Sequence, residues 1–242
     1  MATYRLDVAY DGSEFHGFAR QPAVRTVQGD IETALATLIG PVQTVGAGRT
    51  DAGVHARHQV MSFTTDPIED LGRCLRSLNG ILAPEISIDS LQPVDDAFDA
   101  RFSATWRSYR YFILNRPWAD PLLRHRVWHV SEPLDVDAMT NAADHLLGEH
   151  DFASFCRAVE GGTTVRKVLS VQWGRDDELT YFEIRAAAFC QQMVRSLVAF
   201  LVDVGRGRLP ADSIRGVLAA RDRSTSRGVA PPHGLILWDV GY

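Results

Sequence analysis

The chain has 242 residues, 45% of them hydrophobic and 23% charged, with a formal net charge of −5. That is enough apolar material for one large core or two small ones, and it excludes fibrous, disordered and disulfide-stapled readings. An acidic total argues against a polyanionic partner, because nucleic-acid binders usually carry a basic surface that releases counterions from phosphates; any such surface here has to be local.

Tyr4, Leu6, Val8 and Tyr10 alternate with Arg5, Asp7 and Ala9, a period of two that predicts a half-buried strand over 4–10. Past a loop around Gly12 and Gly17, Thr26 is the expected N-cap of a helix that turns Val27, Ile31, Leu35 and Leu38 to one side and stops at Gly40-Pro41. Short strands are expected at 42–45 and 59–64. Asp66 as cap, Pro67 at the first helical position and Glu69 three residues after the cap predict a second helix, with Leu71, Leu75 and Leu78 inward and an end near Asn79-Gly80. Ile86, Ile88 and Leu91 follow as extended chain. The order β-α-β-β-α-β is the ferredoxin-like split unit.

A second pass of the same order is expected after it. It takes a strand over 105–114, a helix over 136–147 ended by Gly148, strands 165–173 and 179–187, a long helix 191–204, a short helix 211–220 and a last strand 235–240. Two such units with mostly antiparallel sheets predict an α+β protein. The halves are expected at 1–100 and 101–242, side by side around a central cleft.

Cys74, Cys156 and Cys190 form no C-x-x-C and are expected as reduced thiols, mostly buried. The longest apolar run, Leu197 to Val202, falls far short of the roughly 20 residues that span a bilayer, and the first residues lack an apolar signal core, so a cytoplasmic location without membrane attachment is expected. Charge is segregated. Arg101, Arg107, Arg110, Arg116, Arg124 and Arg126 face the single acid Asp120 in an aromatic-rich stretch, and seven arginines from Arg195 to Arg227 face three acids. Arginine suits bidentate phosphate contacts and stacking on bases.

The chemistry concentrates in the loop 46–56, Gly46-Ala47-Gly48-Arg49-Thr50-Asp51-Ala52-Gly53-Val54-His55-Ala56. Its three glycines permit a tight path and close backbone approach. The G-x-G-x-x-G fingerprint fails at Asp51 and is followed by a strand, not the helix that would hold a pyrophosphate. What remains is one carboxylate, Asp51, two residues from Arg49, a pattern that serves either a carboxylate nucleophile or an ordinary surface turn. His55 and His58, three apart on a loop-to-strand segment, point to opposite faces and suggest no metal site.

This segment, Gly48 to Ala56, resembles the signature of the tRNA pseudouridine synthase A (TruA) family. The resemblance runs end to end, through Tyr10-Asp11-Gly12-Ser13, Arg20-Gln21-Pro22, Thr26-Val27-Gln28, Arg107-Ser108-Tyr109-Arg110-Tyr111, Gly148 to Phe152, Met193-Val194-Arg195, Val204 to Gly207, Ala230-Pro231-Pro232 and Val240-Gly241-Tyr242. Departures are Phe18-Ala19 in the first loop, Gln191-Gln192 before Met193, and Ile236.

The resemblance implies a pseudouridine synthase fold of two ferredoxin-like, RRM-like halves. It implies an isomerase that converts uridines 38, 39 and 40 of the tRNA anticodon stem-loop, works as a homodimer, and needs neither cofactor nor metal. Asp51 becomes the nucleophile, Arg49 the residue that fills the gap or holds the flipped base, Tyr109 the ring that stacks on the uracil, and Arg195 the ion-pair partner of Asp51. Arg20, Arg107, Arg110 and Leu235 are implied in substrate binding, with Arg206, Arg208, Arg221 and Arg223 adding to the tRNA surface. The rival reading is a non-catalytic RNA-binding protein with tandem RRM-like units; the stacking signature of such modules is absent from the strands.

Overall fold

The computed structural model describes residues 1–157, 162–226 and 228–242; Arg227, of the second arginine group, lies outside them. The chain forms two compact units, Met1–Arg107 with Ile236–Tyr242, and Ser108–Leu235. Relative to the expected halves, residues 101–107 and 236–242 both go with the first unit. The reason is hydrogen bonding that local patterning does not encode: Thr105 N donates to Gly241 O (2.8 Å) and the Tyr242 hydroxyl to Ala100 O (2.8 Å).

In chain order the elements are β1 (Ala2–Tyr10), α1 (Val27–Ile39), β2 (Val45–Gly46), β3 (His55–Thr65), α2 (Leu71–Leu82), β4 (Ile86–Val94), β5 (Trp106–Asn115), β6 (Trp128–Val130), α3 (Val136–Asp144), β7 (Gly148–Asp151), β8 (Val165–Asp176), β9 (Leu179–Ala186), α4 (Met193–Gly205), α5 (Ser213–Ala220) and β10 (Leu235–Gly241). In the first unit β1 is central, antiparallel to both β3 and β4. The other edge of β3 takes β2 at Ser62 and Met61, and takes β10, in parallel, at His55 and Ala56. In the second unit the strand order is β5-β9-β8-β7, with β6 parallel to β5.

Local rules account for most boundaries. Thr26 Oγ1 accepts from Gly29 N and caps α1, and Gly40 ends it at φ 87°, a value that favours glycine. Helix α2 departs from expectation. It starts at Leu71 under Asp70, whose carboxylate accepts from Arg73 N (2.8 Å), because Ile68 N is already held by the Tyr4 hydroxyl (2.8 Å) and Asp66 cannot open a helix there. Its buried residues are Cys74, Leu78 and Leu82, and it runs past Asn79, whose side-chain amide clips Ile88 N and Ile88 O instead of ending the helix. The strand expected at 42–45 shrinks to Val45–Gly46, since Thr44 N and Oγ1 both donate to the buried Glu32 carboxylate (3.0 Å each). Residues 145–147, expected to be helical, form a turn into the short strand β7.

Helix α4 is buried at every position except Arg195 and Asp203. Its close approach to α3 depends on Gly205, where a Cβ would strike the Met139 thioether. Cys156 and Cys190 correct another expectation: they form a disulfide across 34 residues, Cα–Cα 5.7 Å, while Cys74 stays a free buried thiol. Spacing could not show it, because the turn after Phe155 and the segment before α4 meet only in the fold.

On one face of the first sheet the His58 imidazole bridges Asp239 (Nδ1 to Oδ1 2.6 Å) and Asp7 (Nε2 to Oδ1 3.4 Å). Burial pushes the Asp7 carboxyl up, but hydrogen bonds from His58, Ser90 and Arg5 outweigh it and hold it down to about 2. The hydrogen bond to Asp7, aided by Asp239, raises the His58 imidazole against the effect of burial. Stability from Asp7 is therefore present above its ordinary 3.8 and lost as pH falls toward 2, and stability from His58 is present below 6.5 and lost as pH rises through its raised value. Urea unfolding across pH should show an acid limb that Asp7→Asn flattens and an alkaline limb that His58→Gln flattens.

Candidate active site

Asp51 sits half-buried in the loop between β2 and β3, on a stretch with no helix or ladder of its own. Backbone groups in such a loop must find partners elsewhere, and the first unit supplies one at nearly every step. Ala47 N donates to Val60 O (2.8 Å). Ala47 O accepts from both Nε (3.1 Å) and Nη2 (2.9 Å) of Arg107. Gly48 is gripped on both sides by the fully buried Gln59 amide, whose Oε1 accepts from Gly48 N (3.3 Å) and whose Nε2 donates to Gly48 O (2.9 Å).

The far side of the loop rests on residues 10–18. Thr50 O accepts from Phe18 N (3.1 Å), and the Thr50 and Tyr10 hydroxyls meet at 2.8 Å in the interior. Gly12 N donates to His55 Nδ1 (3.1 Å), and Val54 N closes a turn onto Asp51 O (3.2 Å). Gly17 lies at φ +103°, and a Cβ there would stand 3.1 Å from Thr50 O, so only glycine lets this segment lie flat against the backbone of Thr50 to Ala52. Asp51 is thus presented by a rigid frame, which is what a positioned nucleophile or base requires.

Of the other site residues expected from the sequence, Arg49 is exposed beside Asp51. Arg20 is 65% exposed and donates from Nη1 to Glu32 Oε2 (2.8 Å). Arg107, expected to bind substrate, is 8% exposed, and its Nε and Nη2 both donate to Ala47 O of the frame. In the second unit, Tyr109 is 7% exposed and edge-on to Phe189 at 5.0 Å. Arg110 donates to Glu183 (2.7 Å) and lies 4.6 Å over the Tyr181 ring. Arg195 Nε donates to Ala230 O (2.8 Å), which ties the first turn of α4 to the 230–234 segment; Leu235 is buried. The second arginine group is largely engaged within its own unit: Arg206 and Arg208 on Glu132 and Asp203, Arg223 on Ser154 O and Ser196 Oγ, and Arg221 3.6 Å from Asp151.

Burial pushes the neighbouring Tyr111 hydroxyl well above its usual range, and it donates to Pro231 O (2.8 Å) as a core residue. Sequence reasoning missed Gln59 and Glu32. The signal was there in Gln59, a glutamine opening an otherwise apolar strand segment. Among the described residues no group of three or more His, Cys, Asp or Glu could hold a metal, and no helix is long and apolar enough to cross a membrane.

A mixed α+β fold with one carboxylate braced on a glycine loop fits an enzyme that works by nucleophilic or acid–base chemistry. The chain matches the family described as tRNA pseudouridine synthase over residues 8–103 and 142–242, and it belongs to that family of isomerases, which convert uridine to pseudouridine. It is 47% identical over 242 residues to the tRNA pseudouridine synthase A of Frankia casuarinae, covering 98% of this chain and 88% of the relative. It is 43% identical over 264 residues to that of Leifsonia xyli subsp. xyli (99% and 91% covered), and 44% identical over 247 residues to that of Brevibacillus brevis (100% of each).

Replacing Gln59 by Leu should cost about 1–3 kcal/mol in urea unfolding, the penalty for leaving Gly48 N and O unpartnered in the interior. Turnover should fall more steeply than substrate affinity, up to about 10²-fold, because the loop that carries Asp51 loses its grip.

Proposed function

We propose that this tRNA pseudouridine synthase acts on uridines 38, 39 and 40 of the tRNA anticodon stem-loop with Asp51 as its nucleophile. The observation that supports Asp51 as nucleophile is the frame around it: Gln59, Arg107, Tyr10, Phe18 and Gly17 all serve to hold that one loop. A carboxylate held in place can attack without a search of conformations. The reaction breaks the N1–C1′ glycosidic bond, turns the uracil and joins C5 to C1′; the proton lost from C5 is balanced by one gained at N1, so atoms and electrons are conserved.

A uridine stacked in the anticodon arm must leave the stack before its C1′ and C5 can be reached. Arg49, exposed on the same loop, is suited to occupy the vacated space or hold the extruded nucleotide. Tyr109 and Arg195 serve the same uridine, Tyr109 by stacking on the uracil and Arg195 as the positive charge of the reaction. The tRNA is recognised by shape and backbone contacts more than by sequence. The same reading makes the working unit a homodimer in the cytoplasm, and light scattering checks its mass.

Incubating the protein with tRNA bearing uridine at 38 to 40, and mapping pseudouridine by carbodiimide-dependent reverse-transcription stops, tests the assignment. Asp51→Asn should abolish the stops, at least about 10⁴-fold in rate, with tRNA binding retained. Stops at other positions would refute the anticodon assignment, and stops persisting with Asp51→Asn would refute the nucleophile. Arg195→Ala should lower turnover far more than tRNA affinity; equal loss of both would make it a phosphate contact.

A further inference from the structure

The loop between β5 and β6 holds two of the most exposed large apolar side chains among the described residues, Trp118 at 82% and Leu122 at 90%. Tryptophan is enriched at interfaces, where its large apolar face is covered by a partner. This loop is not slack. Arg116 braces it from inside: Nε donates to Trp118 O (2.9 Å), Nη2 to Asp120 (3.1 Å) and Nη1 to Glu178 (2.8 Å), while Arg116 O is held by His129 Nε2 (2.8 Å). Asp120 Oδ1 accepts from Leu122 N (2.8 Å), and Leu123 O accepts from Arg126 N and Val127 N (2.9 and 3.2 Å). The loop's only acid and its first arginine are thus spent on rigidity, and Trp118 and Leu122 stand out from a preformed scaffold.

Charge identifies the partner. With Asp120 engaged by Arg116, the rest of the loop carries exposed Arg124, His125 and Arg126 and no acid. An exposed indole on a loop that also carries arginines is suited to a polyanion with flat apolar faces, in which the ring stacks on a base and the guanidinium groups meet the phosphates. A protein partner would need roughly 800 Å² from each side, far beyond what two protruding side chains offer.

We propose that the 116–126 loop is a second tRNA contact, in which Trp118 stacks on an unpaired or terminal base and Leu122 packs against the same nucleotide. This rests on the tRNA-modifying reading above and adds a residue to it. The loop sets affinity, whereas Asp51 sets the chemistry.

The test measures tRNA dissociation constants by filter binding at several salt concentrations for the unaltered protein, Trp118→Ala, Trp118→Tyr and Leu122→Ala, with the mass of each checked by light scattering. Trp118→Ala should weaken binding about 5- to 100-fold, and Trp118→Tyr, which keeps a stacking face, should stay within about 3-fold. The slope of log affinity against log salt should not change, because no phosphate contact is removed. An unchanged dissociation constant for Trp118→Ala would overturn the proposal, as would equal loss in Trp118→Ala and Trp118→Tyr. A fall in mass that accompanies the lost affinity would overturn it too, by making the loop a contact between copies of the chain. Failure of the unaltered protein to bind tRNA at all would bring down the functional reading itself, a result distinct from any of these.

Discussion

A carboxylate on a glycine-rich loop needs something other than secondary structure to hold it still, and around Asp51 the constraint is the two-sided grip of Gln59 on Gly48. Glycines give the loop its tight path, yet each carries the largest backbone entropy to be lost on ordering. The buried Gln59 amide, the Arg107 guanidinium on Ala47 O and the Tyr10–Thr50 hydroxyl pair offset that cost with hydrogen bonds made away from water, where an unmade bond is expensive. The rest of the first unit follows from this arrangement. β3 must carry a glutamine where a strand would ordinarily carry an aliphatic residue, and residues 10–18 must lie close enough to the loop that Gly12 and Gly17 can bear no side chain.

The second unit solves a different problem, the support of two half-buried charges on a helix that is otherwise core. Arg195 and Asp203 are the only positions of α4 outside the buried set. Arg195 therefore departs from a helix that packing holds rigidly, and its link to Ala230 O couples the first turn of α4 to the segment that leads into β10. Many of the arginines that make the sequence look basic in patches are, in the fold, salt-bridged to their own unit's acids. Local basic composition thus overstates the charge offered to a polyanion, and the exposed remainder, such as Arg49 and Arg124, matters more than the count.

The fold class and the order of elements could be read from periodicity and caps alone, since β1, α1, β8, β9 and α4 depend on nearest neighbours and on which face is apolar. Where the reading slipped, a distant residue had intervened. The Tyr4 hydroxyl took Ile68 N and moved the start of α2; Glu32 took Thr44 N and shortened β2; Asn79 bonded across to Ile88 and let α2 run on. The Cys156–Cys190 bond was hidden for the same reason, its partners being 34 residues apart.

For the site, the sequence alone determined the chemistry at hand: a lone aspartate in Gly48 to Val54, an arginine beside it and glycines that could present it, because residue type and short spacing carry that much. Only the tertiary structure decided that the loop is rigid, that Arg107 belongs to its frame and is withdrawn from the surface, that Gln59 matters at all, and that the last strand returns to the first unit. Those are outcomes of hydrogen bonds between residues far apart in the chain, and a sequence states which groups exist without stating which of them will meet.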